Sequence, residues 1–260
     1  MLKPAPQRRV ERLALVGVPV LAGAFVLLLA GAKWPRYWEW IAPEQTPMTW
    51  LESVLMVLCA GVALLLAAAR YLRAEAGSGR WLVLAAGFAF LALDERFALH
   101  ERVRDGYLAP RGATLPFLPW VAPGDFIILA YGVIGLALLP FVLPAFRGDR
   151  RSLRWLITGV VFAAAAVIGD SFNVHAMSPM VEARQQTLEE VAELASSVCF
   201  LLALWLRLVP VLTWTPVPQP AAAAVSHPDS DSDTVLDGVA GTGNDTQPGS
   251  GTEPASTSPG

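Results

Sequence analysis

Apolar residues in this chain are gathered into long runs separated by short polar breaks. Six such runs stand out, at about 13–32, 49–69, 81–101, 125–146, 154–172 and 188–210. Each approaches the roughly 20 residues that a membrane-crossing helix needs. Long continuous runs suit helices and not barrel strands, which are shorter and alternate. The breaks carry turn chemistry or charge: Pro43 to Pro47, "EAGSGR" at 75–80, "APRGATLPFLPWVAPGD" at 109–125 and "RGDRR" at 147–151. The pattern predicts an all-α polytopic membrane bundle of six transmembrane helices over 13–212, with a short N-terminal stretch, 1–12, before it.

Residues 213–260 are of another kind. They are rich in Pro, Ser, Gly, Thr and Asp and almost free of large apolar residues. Such a segment cannot bury enough surface to offset its ordering entropy, so it reads as a disordered tail. His227 lies in it and is set aside as a ligand. The first run also has a second reading. A basic start, an apolar stretch and "AGA" at 30–32 resemble a signal peptide, but the stretch exceeds a usual h-region, and a retained helix is the expectation.

Composition agrees with the pattern. Hydrophobic residues make up 54% and charged residues only 16%, where soluble domains carry about 25% charge. The net charge of −3 is dominated by the acidic tail. Nothing points to a nucleic-acid partner. Cys59 and Cys199 fall in mid-run apolar context with no CxxC spacing, which predicts small buried residues and not a thiolate site.

Lys and Arg set the expected orientation. Lys3, Arg8, Arg9, Arg12, Arg70, Arg73, Arg80, Arg147, Arg150, Arg151 and Arg154 fall on one side of the drawn topology. Both termini are therefore expected in the cytoplasm. Trp34, Tyr37, Trp38, Trp40, Trp50 and Trp120 then form an aromatic belt on the outer face.

The candidate chemistry lies on that outer face. "LALDERFALHERV" at 91–103 ends the third run with Asp94, Glu95, His100 and Glu101. "GDSFNVH" at 169–175 ends the fifth with Asp170 and His175. The inward-running spans begin with Glu52, Asp125, and Glu189, Glu190 and Glu193. Helix capping offers an ordinary account of some of these. "TWLE" at 49–52 and "TLEE" at 187–190 fit the S/T-x-x-E capping box, and "PGD" at 123–125 fits an Asp N-cap. It does not cover Asp94, Glu95, Glu101 or Asp170, which sit toward helix C-termini where the dipole disfavours negative charge. An ionised Asp deep in a span costs roughly 2.5–3.5 kcal/mol and usually faces the bundle interior.

Spacing supports an inward face. Asp94 and Glu101 are seven apart on one helical stripe, and Glu189, Glu190, Glu193, Ser196 and Ser197 form another. Thr49, Glu52, Ser53 and Cys59 cluster on one side of the second run. Gly132 and Gly135 in the fourth allow close approach of a neighbour. Acids so crowded need protons, Arg partners such as Arg96 and Arg102, or a bound cation. Carboxylates with a neutral imidazole are a ligand set for Zn²⁺, Mn²⁺ or Fe²⁺. The expected metal ligands are drawn from Asp94, His100, Glu101, Asp170, His175 and Glu193, with Glu52 or Glu190 as general base. An arginine-satisfied network and a proton or cation pathway stay open beside the metal.

"LDERFALHER" followed by "LEEVAEL" resembles a group of uncharacterised bacterial multi-pass membrane proteins with a D-E-x-x-x-x-H-E run in one span and an E-E-x-x-E run in a later one. The matching residues are Asp94, Glu95, His100, Glu101, Glu189, Glu190 and Glu193. The resemblance implies a bacterial inner-membrane location and no particular activity. A weaker likeness is to the alkaline ceramidase and adiponectin-receptor superfamily of membrane hydrolases. That family carries three histidines with an HxxxH pair in the last span, which here has none. The functional expectation is a metal-dependent membrane hydrolase acting on a lipid or lipid-linked substrate. A transporter and a structural or partner-binding membrane protein are the alternatives, and the sequence leaves oligomeric state open.

The orientation is testable with reporter fusions. Fusions after Arg80 and Arg151 should report cytoplasm, and one after Gly112 should report the outside. The reverse pattern would place the acids on the inner face.

Overall fold

A computed structural model describes residues 5–121, 123–171 and 178–213. Among them there is no strand. Seven α-helices follow in chain order: α1 (Ala5–Ala32), α2 (Pro47–Leu72), α3 (Ser78–Phe97), α4 (Leu99–Val103), α5 (Phe126–Val142), α6 (Arg150–Asp170) and α7 (Pro179–Leu212). The expected tail, beyond Thr213, and His175 lie outside the described residues.

Five of these helices, with α5 extended to Ala145, are long and apolar enough to cross a membrane: α1, α2, α5, α6 and α7. The third expected span differs. It forms α3, which is 20 residues long but contains Arg80, Asp94, Glu95 and Arg96, and it breaks at Ala98 instead of running to 101. The last helix starts nearer to the N-terminus than its apolar run, at Pro179, because Pro at the first helical position and good helix formers after it extend the helix through polar sequence. At 34 residues it is roughly 50 Å long, more than the hydrocarbon core requires.

Local chemistry sets the starts. Thr46 caps α2, its Oγ1 accepting from the Met48 N–H at 3.2 Å, with Pro47 following. Asp149 caps α6, accepting from the Arg151 N–H at 2.8 Å and the Ser152 N–H at 3.5 Å. The short connection between α2 and α3 makes them antiparallel neighbours, and they pack extensively, as do α6 and α7.

The core is built around α7. Leu202, Ala203, Leu204 and Leu206 are almost completely buried, which requires partners on several sides of one helix. Those partners are α1, α2 and α6. Ser196 Oγ donates to the Gly159 carbonyl at 3.1 Å and Ser152 Oγ to the Ala203 carbonyl at 2.7 Å, joining α6 to α7. Cys59 is fully buried with Sγ 3.9 Å from the Ser197 carbonyl, and Cys199 is buried as well. α5 is held peripherally, through Phe90–Tyr131 at 5.3 Å and through Gly132, where an added Cβ would lie 3.2 Å from Val167. Gly135, paired with Gly132 in the sequence reading, faces open space.

The outward faces are apolar. Leu21, Leu27 and Leu28 on α1 and Val133, Ile134 and Leu136 on α5 are all more than half exposed. Contiguous surface of that kind belongs against lipid or another protein, not water.

α6 and α7 approach closely at Gly159, where an added Cβ would stand 2.7 Å from Phe200 Cδ1 and 3.3 Å from Cys199 Cβ. Gly159→Ala should therefore destabilise by about 1–3 kcal/mol through overpacking. Gly135→Ala, with open space and a better helix former, should be neutral or stabilising by up to about 1 kcal/mol. Thermal melts in detergent compare the two.

Candidate functional site

The N-terminal turns of α2, the C-terminal ends of α3 and α6, and the first half of α7 meet at one end of the bundle. Their acids meet with them. Glu52 of α2, Glu95 of α3 and Glu193 of α7 offer carboxylate oxygens that all lie within 4.8 Å of one another. Glu52 is 1% exposed, and neither of its oxygens has a hydrogen-bond partner. Glu190, also buried, leaves Oε2 unpartnered, and Glu95 leaves Oε1. The neighbours of Glu52 are themselves carboxyls, Glu95 and Glu190. Ionised carboxylates are acceptors only, so a proton or a cation has to lie between them.

Capping, the ordinary account of three of these acids, does not hold. Thr49 is inside α2, donating its hydroxyl to the Thr46 carbonyl at 2.9 Å, so Glu52 has no box to close. Thr187 is inside α7, donating to the Ala183 carbonyl at 2.7 Å, so Glu190 has none either. Asp125 precedes α5 without a side-chain cap bond and instead stands 3.5 Å from Arg104 Nη1. In each case the helix begins elsewhere, or the side chain finds a cation.

The expected Asp94–Glu101 stripe is broken by the backbone. Ala98 takes φ 48°, ψ 50° and ends α3 in the left-handed conformation. In an unbroken helix, residues 94 and 100 would lie on different faces. The break turns the chain so that Asp94 Oδ1 accepts from the His100 backbone N–H at 2.9 Å, and Oδ2 lies 2.8 Å from His100 Nδ1. Asp94 is buried and thus holds His100 by two bonds, leaving Nε2 for a second partner. Glu101 turns to Arg104 at 2.8 Å, and Arg104 also bonds Asp105 at 2.8 Å. Asp170 neighbours Glu189, His100 and Arg104. Gln185 Nε2 ties the end of α6 to α7, donating to the Gly169 carbonyl at 2.7 Å and to Glu189 Oε2 at 3.3 Å.

The structure therefore sorts the sequence candidates. Glu193 lies in the carboxylate trio, together with Glu52, which was expected as a base. Asp94 and His100 form a pair beside it, Glu101 belongs to an arginine network, and Asp170 pairs with Glu189. Two members of the cluster were missing from the ligand list. Glu95 stood in the quoted motif but off the i, i+7 stripe that selected Asp94 and Glu101. Glu44 lies in the loop before α2, where Pro43 and Pro47 read only as a turn, and no periodic signal marks it. Its Oε2 is buried without a partner. Burial, with the Glu101, Glu193 and Asp94 carboxylates nearby, raises its pKa from 4.5 to about 7, against a lowering contribution from His100.

The family model described as "Domain of unknown function (DUF8692)" matches residues 13–208. The chain belongs to that family, and the match runs from within α1 to within α7 and takes in every acid of the cluster. No curated protein and no solved structure matches the chain.

A carboxyl with a raised native pKa holds its proton more tightly folded than unfolded. Its contribution to stability is present below pH 4.5 and lost as pH rises through about 7. In the presence of chelator, the melting temperature of the wild type should fall across that window. Glu44→Gln should fall less steeply, so that the two curves separate between pH 4.5 and 7. Parallel curves would show that Glu44 does not titrate there.

Proposed function

We propose that this protein is a metal-dependent membrane hydrolase acting on a lipid or lipid-linked substrate, with a divalent cation held by Glu52, Glu95 and Glu193. The observation that carries the reading is Glu52, buried at 1% exposure with both oxygens unpartnered inside a group of carboxylates spanning 4.8 Å. Oxygen ligands at about 2.0–2.6 Å from one ion stand up to roughly 4–5 Å apart, so the spread matches a shared cation. Removing a carboxylate from water without compensation costs several kcal/mol, and three together add mutual repulsion. A cation meets both demands at once.

The donor set narrows the metal. Three carboxylates suit a hard ion of the Mn²⁺ or Mg²⁺ kind better than Zn²⁺ or Fe²⁺, which favour imidazole and thiolate. The ion would lower the pKa of a bound water. Glu190, which neighbours Glu52 and has one oxygen without a partner, would take its proton. The substrate class follows from position. The cluster lies at the end of a bundle whose outer faces are apolar, which suits a substrate carried in the membrane.

Transport is less well supported. Beneath the acids, the buried serines of α7 and α6 are engaged with backbone carbonyls: Ser196 with Gly159, Ser197 with Glu193 and Ser152 with Ala203. They offer no continuous polar route to the other end.

Metal content and stability test the reading together. The detergent-purified wild type should bind Mn²⁺, and chelator should lower its melting temperature, because a ligand at 100 times its Kd stabilises by about 2.7 kcal/mol. Glu193→Gln and Glu52→Gln should weaken Mn²⁺ binding by at least the roughly 10–100-fold known for outer-shell changes. Glu101→Gln, whose carboxylate lies on Arg104, should bind nearly as wild type. A wild type indifferent to chelator, with Glu52→Gln more stable than it, would leave a proton-sharing cluster and no metal.

A further inference from the structure

The first turns of α1 sort their polar residues by face. Gln7 and Glu11 turn inward and are buried, with Gln7 Nε2 donating to Glu11 Oε1 at 3.1 Å. Arg8, Arg9 and Arg12 lie on the exposed side. That side is concave. A recess of about 590 Å³ opens on it, with Arg8, Arg9, Arg12, Leu13, Val16 and Gly17 in its lining. The volume is in the range of small-molecule sites, about 300–1,000 Å³. Among the described residues no acid lines it, and Arg9 and Arg12 form no ion pair or side-chain hydrogen bond.

Beyond the arginines the recess runs onto apolar surface. Leu13, Val16 and Val20 are all more than half exposed. Counted from Arg9 they stand at i+4, i+7 and i+11, which is one helical stripe. Gly17 lies on the same side, with nothing within 4 Å of an added Cβ, so the groove stays open beside that stripe. α1 is long and apolar enough to cross a membrane. The stripe from Arg9 to Val20 is roughly 16 Å long, close to the hydrocarbon depth of one leaflet, about 15 Å. Cations stand at its head and methyl groups along its length, which are the two chemistries of a charged lipid.

We propose that this recess binds an anionic phospholipid, its phosphate on Arg9 and Arg12 and an acyl chain along Leu13, Val16 and Val20. The guanidinium fork matches phosphate oxygens. A zwitterionic headgroup would bring its own cation to a wall of arginines, so the net charge of the lipid matters. A free phosphate would leave the apolar stripe uncovered, and an uncharged lipid would leave the arginines unmet. The site shares no residue with the acidic cluster and does not rest on a metal there.

Native mass spectrometry of the full chain in a non-ionic detergent, titrated with phosphatidylglycerol, counts the bound lipid and gives its Kd. Phosphatidylglycerol should bind about tenfold more tightly than phosphatidylcholine with the same chains. Glycerol phosphate, the headgroup without chains, should bind more weakly than either. Arg9→Gln and Arg12→Gln should each weaken phosphatidylglycerol binding about fivefold. Gly17→Leu keeps every charge, but its side chain leans over the preceding turn into the recess, and it should weaken binding by a similar factor. Arg150→Gln, exposed and outside the recess, and Glu52→Gln in the acidic cluster should bind as the wild type does. Without lipid, the α1 variants should melt with the wild type, because all three positions are open to the outside. Equal binding of phosphatidylglycerol and phosphatidylcholine, glycerol phosphate binding as tightly as the lipid, or Gly17→Leu binding as the wild type would overturn the proposal. Arginine variants unchanged while Glu52→Gln loses the lipid would overturn it too and place the lipid at the acidic cluster.

Discussion

Glu52 is nine-tenths and more removed from water, it sits in a helix of otherwise apolar character, and no donor reaches either oxygen. A carboxylate in that position is unstable by several kcal/mol unless something neutralises it. The surrounding acids make the demand stronger, because Glu95, Glu190 and Glu193 add negative charge. The arrangement of the acidic end follows from how that charge is answered. Glu101 and Asp125 are met by Arg104, Asp94 is met by His100, and the trio around Glu52 remains for a proton or a cation.

The helix break at Ala98 makes this sorting possible. Had α3 continued to residue 101, Asp94 and Glu101 would have shared a face and His100 would have pointed elsewhere. The left-handed residue shortens the helix. It also leaves the His100 N–H without the carbonyl it would have met, and Asp94 accepts it instead. One carboxylate thereby both caps a break and fixes an imidazole. Arg104 performs a similar joint task for the following segment. An added Cβ at Gly124 (φ 93°) would lie 2.7 Å from Arg104 Cγ, so the loop before α5 can close over that side chain only with glycine there.

α7 unites the two ends. Its first half carries Glu189, Glu190 and Glu193, its centre is almost completely buried, and its last turns carry Arg207. Arg73 of α2 donates to the Val211 carbonyl at 3.0 Å, which brings the basic ends of α2 and α7 together as the acids bring their other ends together. Opposite charge is thus separated along one helix pair, with apolar packing and backbone-bonded serines between. Each end has to find its counter-charge locally or from a ligand.

Much of this was legible in the chain. The spacing of apolar runs determined the helical class and all the long helices, because burial of whole helices in lipid or core leaves a continuous hydrophobic signal. It also determined that the acids share one end, since alternate helices reverse direction. Buried Cys59 and Cys199 followed from their apolar context, and the shared side of Thr49, Glu52 and Ser53 from helical spacing. Which acids touch which was decided by tertiary structure. The capping boxes at Thr49 and Thr187 were plausible locally, but the helices had already begun at Pro47 and Pro179. Glu95 became a member of the trio through the packing of α3 on α2, and Asp94 a partner of His100 because a single residue, Ala98, took a conformation that no periodic rule anticipates. Glu44 entered from a loop, where position depends on the packing of the helices it joins and not on its neighbours in sequence. Secondary structure is set by interactions within a few residues, whereas a site is set by distances between helices, and those distances are written only in how side chains pack.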